Sequence, residues 1–454
     1  MLLKKTGYAL LFVLVFASCK IGSDVKSKLD TAVIDGHPAW IMQGNIYEVN
    51  VRQYTPEGTF KAFAQHLDRL KEMGVQTLWF MPINPIGVKD RKGVLGSYYA
   101  VSSYTAINPE FGTMEDWNNL VKECHEKGFK VIIDWVPNHT GADHPWLKSH
   151  PDFYVQDTVT KQAISPFDWT DARKLNYNNV ALQDSMIASM KFWLDNSNID
   201  GFRCDVASEV PEFFWKKCIP ELRKGRNIFM LAEADKPWMH TAGFDATYGW
   251  SDFAMMKKIA NGERKAFAID STINYVDTAF QKNAMRLFFT SNHDENSWNK
   301  ADYATMPGDV HAPFAVLTQT MKRSISLIYS GQEEPFLDSI SFFYKDTITF
   351  KEFKRANFYS KLLNLRKNNE ALSANAGMIR LQSSSDDRIY AFIRELNGKK
   401  VLVVVNLSKD FVNGLINSPA IEGTVTELFS DAKTTLKADS KFELKPWDYK
   451  VYVY

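Results

Sequence analysis

Several things that the 454-residue chain lacks narrow its reading. It has only four cysteines and no CxxC pair. Cys124, Cys204 and Cys218 are widely spaced and odd in number, so neither a disulfide framework nor a zinc site is indicated, and they are read as buried thiols. An excess of charge of one sign is also missing, with 54 Lys and Arg against 53 Asp and Glu. The net charge of +1 gives no sequence-independent hold on phosphate and argues against nucleic acid as a partner. There is no internal repeat or low-complexity tract. Disorder is excluded by a hydrophobic share of 45%, and the length allows two or three domains. Twelve Trp, 18 Tyr and 31 Phe remain, rings that serve equally in cores and in stacking on sugars.

Long apolar runs are scarce too. The ten residues from Tyr8 to Ala17 follow Lys4 and Lys5 and precede Ser18-Cys19, which is the layout of an export signal. They fall short of the ~20 residues that span a bilayer. Phe16-Ala17-Ser18-Cys19 resembles a bacterial lipoprotein box, although Phe16 stands where Leu is usual. That resemblance implies cleavage before Cys19 and lipidation of its thiol. The chain is then expected to be an exported bacterial lipoprotein, anchored in the outer membrane and facing the periplasm or the cell surface. Residues 1–18 would be the signal peptide and 19–39 a lipidated tether.

Beyond the tether, eight short apolar runs alternate with amphipathic segments. The runs are Asn45 to Val51, Val75 to Pro82, Lys130 to Val136, Gly201 to Val206, Ile228 to Ala234, Phe244 to Tyr248, Met285 to Ser291 and Ile325 to Ser330. Helical patterns cover Phe60 to Met73, Met114 to Lys127, Leu182 to Asn196 and Glu212 to Lys224. Such βα alternation requires a parallel sheet with right-handed crossovers, and eight units favour a closed (β/α)8 TIM barrel over 40–371. The connection after the third run, 140–179, is too long for a plain loop and is read as a short inserted loop domain. Residues 372–454 change to short alternating segments and are read as a C-terminal antiparallel β-sandwich domain.

In such a barrel the chemistry lies at the C-terminal ends of the strands. The third run ends Asp134-Trp135-Val136-Pro137-Asn138-His139, and the fourth holds Arg203-Cys204-Asp205. The fifth ends on Glu233 and the seventh on Asn292-His293-Asp294. Three carboxylates, Asp205, Glu233 and Asp294, therefore meet on one rim together with Arg203, His139 and His293. One Asp at a strand end is most often a helix cap, and it is the coincidence that points to chemistry. Arg203 and Asp205, two apart on a strand, face the same way. A guanidinium favours an ionised neighbour, fit for a nucleophile, while a carboxyl in a drier place stays protonated as a general acid.

These residues resemble the α-amylase family of glycoside hydrolases, family 13, from about Trp40 to the C-terminus. Its four familiar regions match in order at Asp134 to His139, Gly201 to Asp205, Glu233, and Asn292-His293-Asp294. The resemblance implies that Asp205 is the nucleophile, Glu233 the general acid/base and Asp294 the carboxylate that stabilises the distorted sugar. Arg203 would orient Asp205, and His139 and His293 would bond sugar hydroxyls. In the stretch Gly96-Ser97-Tyr98-Tyr99, Tyr99 would stack on the sugar, with Tyr98 as the alternative. No organic cofactor is implied. Asn138 resembles a ligand of the structural Ca2+ found in many α-amylases, but Glu209 stands where the family has a His ligand. Ala234-Asp235 follows Glu233 where an aromatic is frequent, and Val206 follows the nucleophile where enzymes acting on α-1,4 links often have Thr or Ala.

The function so implied is a retaining glycoside hydrolase that cleaves α-glucosidic, chiefly α-1,4, bonds in starch, glycogen fragments or maltooligosaccharides. Two alternatives stand beside it: an α-glucosidase or 4-α-glucanotransferase of the same family, and a non-catalytic surface glycan-binding protein. The intact carboxylate set argues against the last, since a binding module gains nothing from clustered like charges.

Overall fold

A computed structural model describes residues 31–300, 306–334 and 338–454. The signal, Cys19 and the first part of the tether lie outside the described residues. All eight apolar runs become strands: β1 (Asn45–Val49), β2 (Thr77–Phe80), β3 (Lys130–Trp135), β4 (Gly201–Cys204), β5 (Phe229–Ala232), β6 (Ala246–Tyr248), β7 (Met285–Phe288) and β8 (Ser324–Tyr329). They pair in parallel and in chain order, and β8 closes on β1. Each strand is short, and almost every residue is buried on both faces, as a sheet ringed by helices requires.

Local signals set the helices between them. Thr113 makes a reciprocal capping box with Asp116 at the start of Met114–Lys127, and Gly128, at φ 90°, ends that helix in the left-handed conformation. Asn179 caps Val180–Ser197. The pattern over 60–73 is divided into two helices, Phe60–Ala64 and Leu67–Met73. Gly201 matters to the site because a Cβ there would run into the carbonyl oxygen of Phe229. Only glycine lets β4 and β5 approach so closely, and these are the strands that carry Asp205 and Glu233.

One boundary differs from expectation. Residues 33–38, read as the end of the tether, instead form a small hairpin, Val33–Ile34 with His37–Pro38, on the barrel. His37 is buried there, its Nδ1 2.9 Å from Asp245, because an imidazole can bridge a carboxylate on one side and the Asn283 carbonyl on the other. The inserted segment is tied at its base by an antiparallel pair, His139–Gly141 with Ala172–Lys174.

The C-terminal region holds eight strands: β9 (Gly377–Leu381), β10 (Ile389–Leu396), β11 (Lys399–Asn406), β12 (Val412–Leu415), β13 (Gly423–Glu427), β14 (Lys433–Leu436), β15 (Lys441–Leu444) and β16 (Tyr449–Val453). Six form one antiparallel sheet, ordered β9-β10-β11-β16-β13-β14, and β12 pairs with β15. Ile389, Leu402, Val404, Val412 and Leu444 share an apolar layer within this domain. Tyr390, Phe392, Val401 and Val403, from the opposite face of β10 and β11, belong to the same apolar cluster as Phe314 and Leu362 of the barrel's outer helices. Period-two alternation thus gives each strand two apolar faces, one for the domain and one for the junction.

Candidate active site

Arg203 organises the rim. It points from β4 into the barrel interior and is fully buried. Its Nη1 donates to Asp134 Oδ1 at 2.9 Å and to Asp205 Oδ1 at 3.1 Å, and its Nη2 lies 2.9 Å from Glu233 Oε1. Nε donates to the Tyr248 hydroxyl at 3.1 Å. One guanidinium therefore bonds Asp205 through one terminal nitrogen and pairs its charge with Glu233 at the other, so both carboxyls adjoin the same cation. The pairing of Arg203 with Asp205 follows the strand alternation.

The link between Glu233 and the next turn was not legible. Val206 sits at φ 36° and ψ 46°, a left-handed conformation costly for a β-branched residue, and its backbone N–H donates to Glu233 Oε2 at 2.7 Å. The turn that ends β4 therefore also aims the neighbouring carboxyl.

Burial opposes the charge of this cluster. It lifts the Asp205 carboxyl well above the usual range, the charge of Glu233 adds to the effect, and Arg203 opposes it. Burial likewise raises Asp134 to about 6 against the pull of Arg203. Arg203 was expected to favour the ionised form of Asp205 and does pull in that direction, but dehydration and the charge of Glu233 outweigh it.

The other expected residues gather around the same opening. His293 opens the helix His293–Asn299 after β7, whose first turn Asn292 caps with a bond to the Glu295 N–H, and Asp294 follows it. The His293 ring is stacked on Tyr99 with centroids 5.4 Å apart, and its Nε2 lies 2.7 Å from the Tyr99 hydroxyl. That hydroxyl also donates to Asp134 Oδ2 at 3.2 Å. Of the two candidate tyrosines, Tyr99 lines the cleft, whereas Tyr98 is a wall residue bonded to Asn50 beneath the Arg52 guanidinium. His139 also lines the cleft. Burial lowers its pKa to about 4, so it is neutral, and its ring meets Trp169 edge-on.

The cleft has a volume of about 520 Å³, a size that suits a small ligand. It takes in Tyr99, His139, Asp205, Glu233 and Asp294. The inserted segment contributes Asp168, Trp169 and Asp171, so it walls one side. Sequence reading missed the far lip, where Trp298, Phe342 and Phe343 pack together and Trp298 is 56% exposed. It also gave no role to Glu48, which holds His293 from behind. A lone acid inside the apolar run Ile46-Tyr47-Glu48-Val49 was the available signal.

The residues proposed for calcium do not assemble a cage. The Asn138 amide is turned to His139 at 3.3 Å, and Glu209 lies 3.9 Å from the Lys174 ammonium, a cation already in place. Among the described residues no group of three or more His, Cys, Asp or Glu could hold a metal ion. Asn138 alone does not meet the oxygen count that Ca2+ requires, and no step below runs through a metal.

A closed parallel barrel with an Arg-clamped carboxyl cluster at its strand ends, opening on a sugar-sized cleft, is the architecture of a glycoside hydrolase. Residues 27–361 match the alpha amylase catalytic domain and residues 379–451 the maltogenic amylase C-terminal domain. The chain belongs to the α-amylase family of glycoside hydrolases. It is 26% identical to alpha-amylase 3 of Dictyoglomus thermophilum, covering 82% of this chain and 86% of that protein. To alpha-amylase MalA of Haloarcula japonica it is 24% identical, covering 89% of this chain but only 62% of the relative's length. Among solved structures, the maltogenic alpha-amylase AmyB of Thermotoga neapolitana superposes with a TM-score of 0.82 at 25% identity, covering 91% of this chain and 99% of that one.

Proposed function

We propose that the protein is a retaining glycosidase of α-glucans that cleaves chiefly α-1,4 bonds in starch, glycogen fragments or maltooligosaccharides. The observation that carries this reading is the shared grip of Arg203 on Asp205 and Glu233 in a cleft that also holds Asp294. Asp205 attacks the anomeric carbon while Glu233 protonates the departing glycosidic oxygen, giving a covalent glycosyl-enzyme. Water deprotonated by Glu233 then releases the sugar with its configuration kept. Asp294, at the mouth, faces the positive charge that develops at the anomeric carbon. The relatives named alpha-amylase and maltogenic alpha-amylase support the α-glucan assignment. Time-resolved product analysis on soluble starch and maltoheptaose tests it: short α-configured maltooligosaccharides are expected. Release of glucose alone would indicate an α-glucosidase, chain-lengthened products a glucanotransferase, and binding without turnover a glycan-binding protein.

The export signal and the FASC box support the further reading of an exported lipoprotein anchored through Cys19. Stable anchoring needs more than one acyl chain, and lipidation of that cysteine would provide it. A Cys19→Ala variant expressed in the native host should move from the membrane to the soluble fraction. A wild-type protein already soluble on fractionation would leave simple secretory cleavage as the account.

A further inference from the structure

Behind the cleft stands a carboxylate that the mechanism above does not use. Glu48, in β1, has no exposed surface, and its Oε1 lies 2.5 Å from His293 Nδ1, while Oε2 has no hydrogen-bond partner. On the other edge of the ring, Nε2 lies 2.7 Å from the Tyr99 hydroxyl and 3.3 Å from Asp294 Oδ2. Asp134 and Arg203 act on the ring from β3 and β4, and Trp79 of β2 meets it edge-on at 6.0 Å. Glu48, Asp134, Asp205, Glu233 and Asp294 thus crowd one end of the barrel around Arg203. A second cation among them would be favoured by every carboxylate present, and His293 is the basic ring that touches two of them.

Resting on the glycosidase reading and deepening it, we propose that Glu48 is a positioning residue that keeps His293 an imidazolium, with its Nε2–H on the Tyr99 hydroxyl and its charge set beside Asp294 at the cleft. The hydrogen bonds run in one direction when the Glu48–His293 pair holds the extra proton. With the hydrogen between Oε1 and Nδ1 on the ring, Nε2 carries one of its own and can only donate. Tyr99 accepts from it and passes its own hydroxyl hydrogen to Asp134 Oδ2 at 3.2 Å, a carboxylate that Arg203 also holds. When that proton leaves, Nε2 becomes an acceptor, Tyr99 turns its hydrogen toward the ring, and Asp294 loses the cation beside it. Burial alone would pull the ring's pKa down, but Asp294 and Glu48 outweigh it and push it up to about 9.

Nitrogen-15 NMR of the ring in the free wild-type protein tests this, with His293→Gln identifying its resonances. Both ring nitrogens should be protonated at about pH 7.5 and lose a proton only in the alkaline range. In Glu48→Gln the titration should fall by about one pH unit or more, and the alkaline limb of kcat/KM should move with it, while Glu48→Asp restores part of the shift. A neutral ring in the wild type near pH 7.5 overturns the proposal without any variant, as does an unshifted titration in a folded Glu48→Gln protein. The ring's charge is read without substrate, so failure to turn over starch or maltooligosaccharides would count against the glycosidase reading and leave this measurement standing.

Discussion

The molecule buries guanidinium groups in two places and compensates them in opposite ways. At the rim, burial disfavours the charge of Arg203, but Asp134 and Glu233 outweigh it and raise its pKa. At the junction between the barrel and the C-terminal domain, Arg366 and Arg394 are just as buried and make their hydrogen bonds to neutral oxygens. Arg394 of β10 donates to the carbonyls of Thr320 and Met321 at 2.6 Å, of Ser373 at 2.7 Å and of Gly377 at 3.0 Å. Arg366 donates to the carbonyls of Gly44, Gln319 and Ser324. Thr320 ends the helix His311–Thr320, so the negative end of that helix faces the cation. Burial pulls both junction arginines down to about 9, with Arg366 adding to the effect at Arg394, and leaves them charged at neutral pH.

The difference separates work from support. Carbonyl dipoles cannot titrate, so the acceptors at the junction are the same at every pH. Carboxyls can titrate, and a glycosidase must have one that gives up a proton and another that stays negative. The rim therefore gathers groups whose charge can change, while the junction's acceptors cannot change theirs, and substitutions in the two places should have opposite signatures.

Asp205→Asn should give the largest effect, a loss of turnover of ~10⁴-fold or more on maltooligosaccharides, because the covalent step has no nucleophile. Its melting temperature should stay level or rise, since a buried carboxyl crowded by Glu233 and Asp134 is replaced by a neutral amide. Steady-state kinetics beside calorimetry checks both halves, and a folded variant with wild-type turnover would remove the nucleophile assignment. Arg394→Leu should show the reverse. Leaving several buried carbonyls unpartnered should cost about 3 kcal/mol or more of stability, while kcat/KM of the folded enzyme is unchanged. A large kinetic effect with intact stability would break the comparison. The smallest effect is expected at the exposed lip: Trp298→Ala should weaken binding of long maltooligosaccharides by about 1 kcal/mol, roughly five-fold in KM, with kcat little changed. Equal losses on maltotriose and on long chains would show that the ring does not stack on an outlying sugar.

The legible part of the site was its strand-end chemistry. Asp205, Glu233, Asp294, Arg203 and His293 were found because apolar runs broke off in polar residues and the breaks recurred in order. Trp298 and Phe342 were not found, because they lie on separate connections and nothing in a single chain shows that two loops share a lip. Glu48 left a trace, an acid within an apolar strand, but its partner His293 is 245 residues away. The strands β9, β12, β14 and β15 escaped notice because each is only four or five residues long, too short a run for its alternation to stand out.

By itself the amino-acid sequence determined the periodicities, and with them the eight barrel strands, the change to antiparallel strands after residue 372 and the carboxyls on the rim. Periodicity is local: whether a residue faces in or out depends on its neighbours along the chain. Only the tertiary structure decided which carboxyl meets which cation, that Tyr99 and not Tyr98 reaches the cleft, that residues 33–38 fold against the barrel, and which ionisable groups are dry enough to keep a proton. Those outcomes depend on distances and dehydration, which arise only when segments remote in sequence close around the same space.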